Sequence, residues 1–140
     1  AIQANALEAV MLNEQGYVAD GSGENIFVVK DGLLTTPPVA ASILEGITRN
    51  TIIALAREEG IPVREHNIGR SEIYFADEVF VTGTAAEVCP INEVDEHPLG
   101  PPGPITQRLQ SRFFAATEGR DPRSEEWLDY VVAPAPTLSP

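Results

Sequence analysis

Apolar positions along the chain alternate between strand-like runs and helical spacing. Asn25 to Lys30 (Asn-Ile-Phe-Val-Val-Lys) is a β-branched and aromatic run that predicts a strand. Asp31-Gly32 tolerates positive φ at both positions and predicts a hairpin into a second strand over Leu33 to Thr36, which Pro37-Pro38 ends. From Ile47 to Glu59 the positions Ile52, Leu55 and Ala56 recur at helical spacing, and Gly60 followed by Ile61-Pro62 stops that helix. Upstream, Glu8 to Asn13 reads as a buried strand closed by the polar turn Asn13 to Gly16, with Tyr17 to Ala19 extended beyond it.

The second half continues the mixture. Ile61 to Ile68 predicts a strand, Ser71 to Ala76 a short helix, Glu78 to Val81 a strand running into Thr82-Gly83-Thr84, and Ala86 to Val94 a further strand. After the loop Leu99 to Pro104, the residues Ile105, Leu109, Arg112, Phe113 and Ala116 mark a second long helix capped by Gly119. Ala1 to Leu7 reads as the end of a helix, and residues 133–140 as a Pro-rich, polyproline-like tail after a single domain over 1–132. Hairpins together with long helices imply an α+β domain: a mixed, largely antiparallel sheet with packed helices.

Charge narrows the partners. A formal net charge of -12 opposes nucleic acid and anionic membranes, which are bound by clustered lysines and arginines. No apolar run approaches the roughly eighteen residues of a membrane span. The lone Cys89 excludes an internal disulfide and suits a reducing compartment, with the cytoplasm as the default. Lying before Pro90 in an apolar strand, Cys89 is expected to be buried rather than nucleophilic. His66 and His97 lack metal-ligand spacing, so no metal is expected, and Gly21-Ser22-Gly23 is not a nucleophile elbow. Lys30, the only lysine, sits beside a hairpin turn and is expected to face solvent.

Three segments combine a glycine turn with polar groups at the end of a regular element, where ligand sites tend to form. They are Asp20-Gly21-Ser22-Gly23-Glu24-Asn25, Gly46-Ile47-Thr48-Arg49 and Gly83-Thr84-Ala85-Ala86-Glu87. Gly46 turns the backbone into a helix whose first amides lack internal partners, so a phosphate would satisfy them; an ordinary helix start has the same appearance. Small residues after the strand at Gly83 would expose amides to an anion, or would simply make a tight turn. Asp20 and Glu24 flank a turn that is either solvated or placed to pair with a protonated ring nitrogen.

In this order and approximate spacing the three segments resemble the cofactor-site motifs of branched-chain amino-acid aminotransferases, members of the fold-type IV pyridoxal-phosphate enzymes. The matching stretches are Asp20-Gly-Ser-Gly-Glu-Asn-Ile-Phe, Leu44-Glu-Gly-Ile-Thr-Arg and Thr82-Gly-Thr-Ala-Ala-Glu-Val. The resemblance continues through Gly103-Pro104-Ile105-Thr106 and Phe113-Phe114 to Trp127-Leu-Asp-Tyr-Val. It implies the C-terminal large domain of the D-amino-acid aminotransferase-like fold, pyridoxal 5'-phosphate as cofactor, a homo-oligomer, and amino transfer between leucine, isoleucine or valine and 2-oxoglutarate.

By position the resemblance gives Ile47, Thr48 and Thr84 to the cofactor phosphate, Gly83, Thr84 and Ala85 to the substrate carboxylate, and Asp20 to the pyridine nitrogen. The family usually has glutamate at the position of Asp20, one methylene longer. Some members use a cysteine at the position of Cys89 in a redox pair, whose second member here is Ala86. The family's catalytic lysine lies upstream of the Asp20 motif, is not among these residues, and implies that the segment alone is inactive. Other readings are D-amino-acid aminotransferase or aminodeoxychorismate lyase of the same fold, and a stand-alone binding module.

Overall fold

The strand Asn25–Lys30 (β2) lies inside a five-stranded sheet of a computed structural model that describes residues 7–131. The expectations for residues 1–6 and for the Pro-rich tail lie outside the described residues. Before β2 comes Tyr17–Val18 (β1); after it come Leu33–Thr36 (β3), the helix Ile47–Glu58 (α1), Val63–Glu65 (β4), Ile68–Gly69 (β5) and Arg70–Tyr74 (α2). Glu78–Gly83 (β6), Glu87–Ile91 (β7), Glu93–Val94 (β8), His97–Pro98 (β9), Pro104–Thr117 (α3) and Ser124–Trp127 (α4) follow in order.

The sheet runs β4-β3-β2-β6-β7, antiparallel throughout except for the parallel pair β3–β4. Alternation along its strands sends side chains to two cores. On one face Phe27, Val29, Leu34, Phe80 and Val88 pack against Ile52, Leu55 and Ala56 of α1 and Leu109 and Phe113 of α3. Phe27 stacks on its cross-strand partner Phe80, with ring centroids 5.0 Å apart. On the other face Ile26, Val28, Val79 and Val81 meet Val18, Ile68 and Ile73. Both long helices close in the same way: Gly60 and Gly119 adopt positive φ, and the amides around them return to the last carbonyls of α1 and α3.

Ion pairs fasten the C-terminal end of α1 to α3. Arg112 meets Glu58 at 2.5 Å, Glu59 at 3.1 Å and Asp121 at 3.0 Å, while Arg123 also reaches Glu58. The Arg112 side chain holds the Asp121 carboxyl below the usual aspartate range, aided by the Arg123 amide. Arg123 and then Arg112 do the same for Glu58. A second carboxylate device opens α3, where the buried Glu78 accepts from the amides of Ile105 (3.1 Å) and Thr106 (2.7 Å).

Several expectations need correction. Glu8 to Asn13 is not a buried strand: Leu12 makes one bridge to Val18, and both Met11 and Leu12 are exposed. Ile61 to Ile68 divides into β4 and β5: β4 ends at Glu65, His66-Asn67 is polar and exposed, and β5 leaves the five-stranded sheet to pair antiparallel with β1. Ala86 to Val94 breaks after Ile91, and β8 turns back on β9 through Asp95 and Glu96, both at positive φ. Cys89 is exposed: Val88 points into the core against α1 and α3, so alternation turns Cys89 to the opposite face of β7, the sheet's outer strand. The short helix α4 has no counterpart among the sequence expectations.

Candidate functional site

Three chain segments converge where β2 begins and β6 ends, since Asn25 pairs with Thr82 across those strands. The turn Asp20 to Glu24 feeds β2 from one side, the β6–β7 hairpin leaves from the other, and α1 begins above them. Together they line a cavity of about 150 Å³, whose walls include Asp20, Ser22, Asn25, Gly46, Ile47, Thr48, Thr82, Gly83 and Thr84. A larger depression of about 410 Å³, around Tyr17, Pro38, Glu65 and His66, is open and gathers none of the three segments.

The start of α1 faces this cavity bare. Its N-cap is Gly46, at φ -72° and ψ 141°, so no side chain caps the helix and no acidic residue occupies its first turn. The amides of Ile47 and Thr48 therefore present the positive end of the helix to a ligand. Glycine is required there by crowding: a Cβ at position 46 would collide with the Asn25 carboxamide. Leu44 and Ile47 stand exposed at the rim.

Asp20 is held rather than free. Its Oδ1 accepts from Asn25 Nδ2 at 2.9 Å and its Oδ2 from the Leu44 amide at 2.8 Å, which leaves each oxygen with acceptor capacity. The turn that carries it is pinned by Glu8, which accepts from the Ser22 hydroxyl and, at 3.3 Å, from the Ser22 amide. The hydroxyl contact is the main reason the Glu8 carboxyl lies below the usual glutamate range, followed by the Ala9 amide. Thr82 Oγ1 is fully buried on the cavity wall without a partner, an unmet hydrogen-bonding capacity.

The expected site residues Asp20, Ile47, Thr48, Gly83 and Thr84 thus share one cavity. Ala85 lies beside it, exposed in the hairpin turn. Asn25 and Thr82 line it too; the sequence gives neither a role, although Asn25 closes the first motif and Thr82 opens the third. Arg49, one turn into α1, turns its buried guanidinium away to the Pro37 carbonyl (2.9 Å) and Glu65 (2.8 Å), fixing the loop before α1. Lys30 sits at the far end of β2, about 17 Å along the strand, where it pairs with Asp77 at 2.8 Å. Among the described residues, the only charged side chains on the cavity wall are carboxylates, so an anion bound there relies on backbone amides and hydroxyls.

Known proteins share the sequence and the fold of this chain. The chain is 53% identical over 133 residues to the branched-chain-amino-acid aminotransferase of Pseudomonas aeruginosa, covering 94% of this chain and 43% of that one. The crystal structure of the branched-chain aminotransferase from Thermoproteus uzoniensis with norvaline superimposes with a TM-score of 0.89 at 47% identity, over 92% of this chain and 43% of that chain. That of the Escherichia coli branched-chain amino acid aminotransferase gives a TM-score of 0.89 at 46% identity, over 93% of this chain and 43% of that chain. The chain therefore spans less than half the length of these relatives. Residues 1–94 match the amino-transferase class IV family, and with the fold in agreement, the chain belongs to that family.

Proposed function

We propose that these residues form the phosphate end and the acidic wall of a pyridoxal 5'-phosphate site in a branched-chain amino-acid transaminase. The convergence of three separate glycine segments on one cavity at an uncapped helix N-terminus carries this reading. The unpartnered Thr82 hydroxyl and the uncapped amides of Ile47 and Thr48 fit a phosphate-bearing group. In this reading Ile47, Thr48 and Thr84 hold the phosphate, and Asp20 holds a proton on the ring nitrogen. Gly83, Thr84 and Ala85 receive the substrate carboxylate. When bound, the cofactor supplies an electron sink for negative charge at the substrate's α-carbon.

The substrates of the whole protein are then branched-chain amino acids, in keeping with the relatives at about half identity, with 2-oxo acids, principally the 2-oxoglutarate that the family resemblance implies. Residues 7–131 act as one cofactor-binding domain, supported by their shared sheet and two cores. The lysine that carries out the proton transfers in such enzymes is not supplied by Lys30, which is held on Asp77. These residues alone bind but do not turn over. Exposed apolar side chains at Met11, Leu12, Tyr17 and Val39 support assembly into a homo-oligomer. A cytoplasmic setting accords with the single free cysteine.

Titration with pyridoxamine 5'-phosphate, which needs no lysine bond, tests the reading. Binding should be saturable and competed by inorganic phosphate. Ile47→Pro removes one amide donor at the first helical position, where proline suits the helix, and should weaken binding about tenfold with the fold retained. Equal affinity of the two proteins would refute the assignment of the phosphate to α1.

A further inference from the structure

Leu44 is gripped from two sides by side chains that begin on a different part of the chain. Its amide donates to Asp20 Oδ2 at 2.8 Å and its carbonyl accepts from Asn25 Nδ2 at 2.6 Å. The same Asn25 amide group donates to Asp20 Oδ1 at 2.9 Å, so the two side chains are also joined to each other. Both acceptors around Nδ2, a carboxylate and a carbonyl, have no proton to give. That fixes the orientation of the Asn25 carboxamide and uses both of its N–H groups. Its other atom, Oδ1, points at Gly46, the N-cap of α1.

We infer that Asn25 is a positioning residue, which clamps Leu44 and thereby sets the first amides of α1 against the Asp20 carboxylate. Asn25 is suited to this because it is 5% exposed and its backbone is held in β2 opposite Thr82, at the end of the rigid sheet. From Leu44 only Glu45 and Gly46 intervene before Ile47. A change in the clamp therefore moves the amides that face the cavity. No other residue type serves all three contacts. Aspartate of the same size would present oxygens to two acceptors, leucine would leave both acceptors without their donor, and glutamine would run into Gly46. The inference rests on the cofactor reading for its consequence in binding, but the clamp itself is independent of it.

The two are separated by one set of measurements on the full chain. Asn25→Asp preserves size while removing both donated bonds. It should speed hydrogen exchange at the Leu44 amide by about tenfold or more, leave the amide of buried Ile53 protected, and weaken pyridoxamine 5'-phosphate about tenfold. Exchange at Leu44 unchanged in a folded Asn25→Asp protein overturns the clamp. Exchange increased with pyridoxamine 5'-phosphate affinity unchanged overturns the claim that the clamp sets the helix amides. Failure of the unsubstituted chain to bind pyridoxamine 5'-phosphate contradicts the cofactor reading instead, and Leu44 exchange still decides the clamp. If Asn25→Asp does not fold, Gly46→Ala displaces the same carboxamide from the other side, with the same expected exchange at Leu44.

Discussion

Glu78 shows what single residues contribute that their sequence neighbourhood conceals. It sits at the start of β6, yet it caps α3 across a separation of more than twenty residues, and Gly103 leaves room for its carboxylate. Glu78→Ala should strand the amides of Ile105 and Thr106 and cost about 2 kcal/mol in urea unfolding, with Glu78→Gln recovering part of it. Asn25 is equally concealed. The sequence places it next to an evident turn, but its partners, Asp20, Leu44 and Gly46, are known as partners only once the sheet has set their distances. By contrast Asp20, Thr48 and Gly83 are legible because each stands at the junction of a glycine turn and a regular element, a pattern that survives without coordinates. The exposure of Cys89 is not, because apolar flanks do not reveal which face of an outer strand is left uncovered.

Among the elements, those with a single dominant signal are readable in advance. The β2–β3 hairpin turns at Asp31-Gly32, and α1 ends at Glu58, one residue short of the expected Glu59. Elements whose limits depend on long-range pairing are not. Strand β4 ends where its parallel partner β3 ends, and the β8–β9 turn uses Asp95-Glu96, which lacks the glycine that usually announces such a turn.

The joint between α1 and α3 can be tested through Arg112. Its loss leaves Asp121, whose side chain is only 7% exposed, without its main partner. Arg112→Met should cost on the order of 2 kcal/mol at neutral pH, between values for exposed and buried pairs. Because the carboxyls of Asp121 and Glu58 are both lowered in the fold, their contribution is complete above the unfolded carboxylate range, near pH ~4, and is lost as pH falls through the lower folded values. The stability difference between Arg112→Met and the parent should therefore shrink as urea melts are moved from about pH 7 toward about pH 2. A difference that stays constant would show that these pairs do not drive it.

At the scale of the whole molecule, the five-stranded sheet, with cores on both faces, leaves the candidate site residues at one end, where β2 begins and β6 stops. Long-range contacts hold that end: Glu8 on Ser22, Asp20 and Asn25 on Leu44, and Arg49 on Pro37 and Glu65. In the proposed reading these residues meet an anion through backbone amides, in a chain of net charge -12, so their share of the binding should depend on backbone position. The most direct check is a map of amide chemical shifts as pyridoxamine 5'-phosphate is added to the folded chain. The expected result is shifts concentrated at Ile47, Thr48, Gly83 and Thr84, with Leu44 following. Shifts confined to the open depression around Tyr17 and His66, or no saturable shifts at α1, would contradict the assignment.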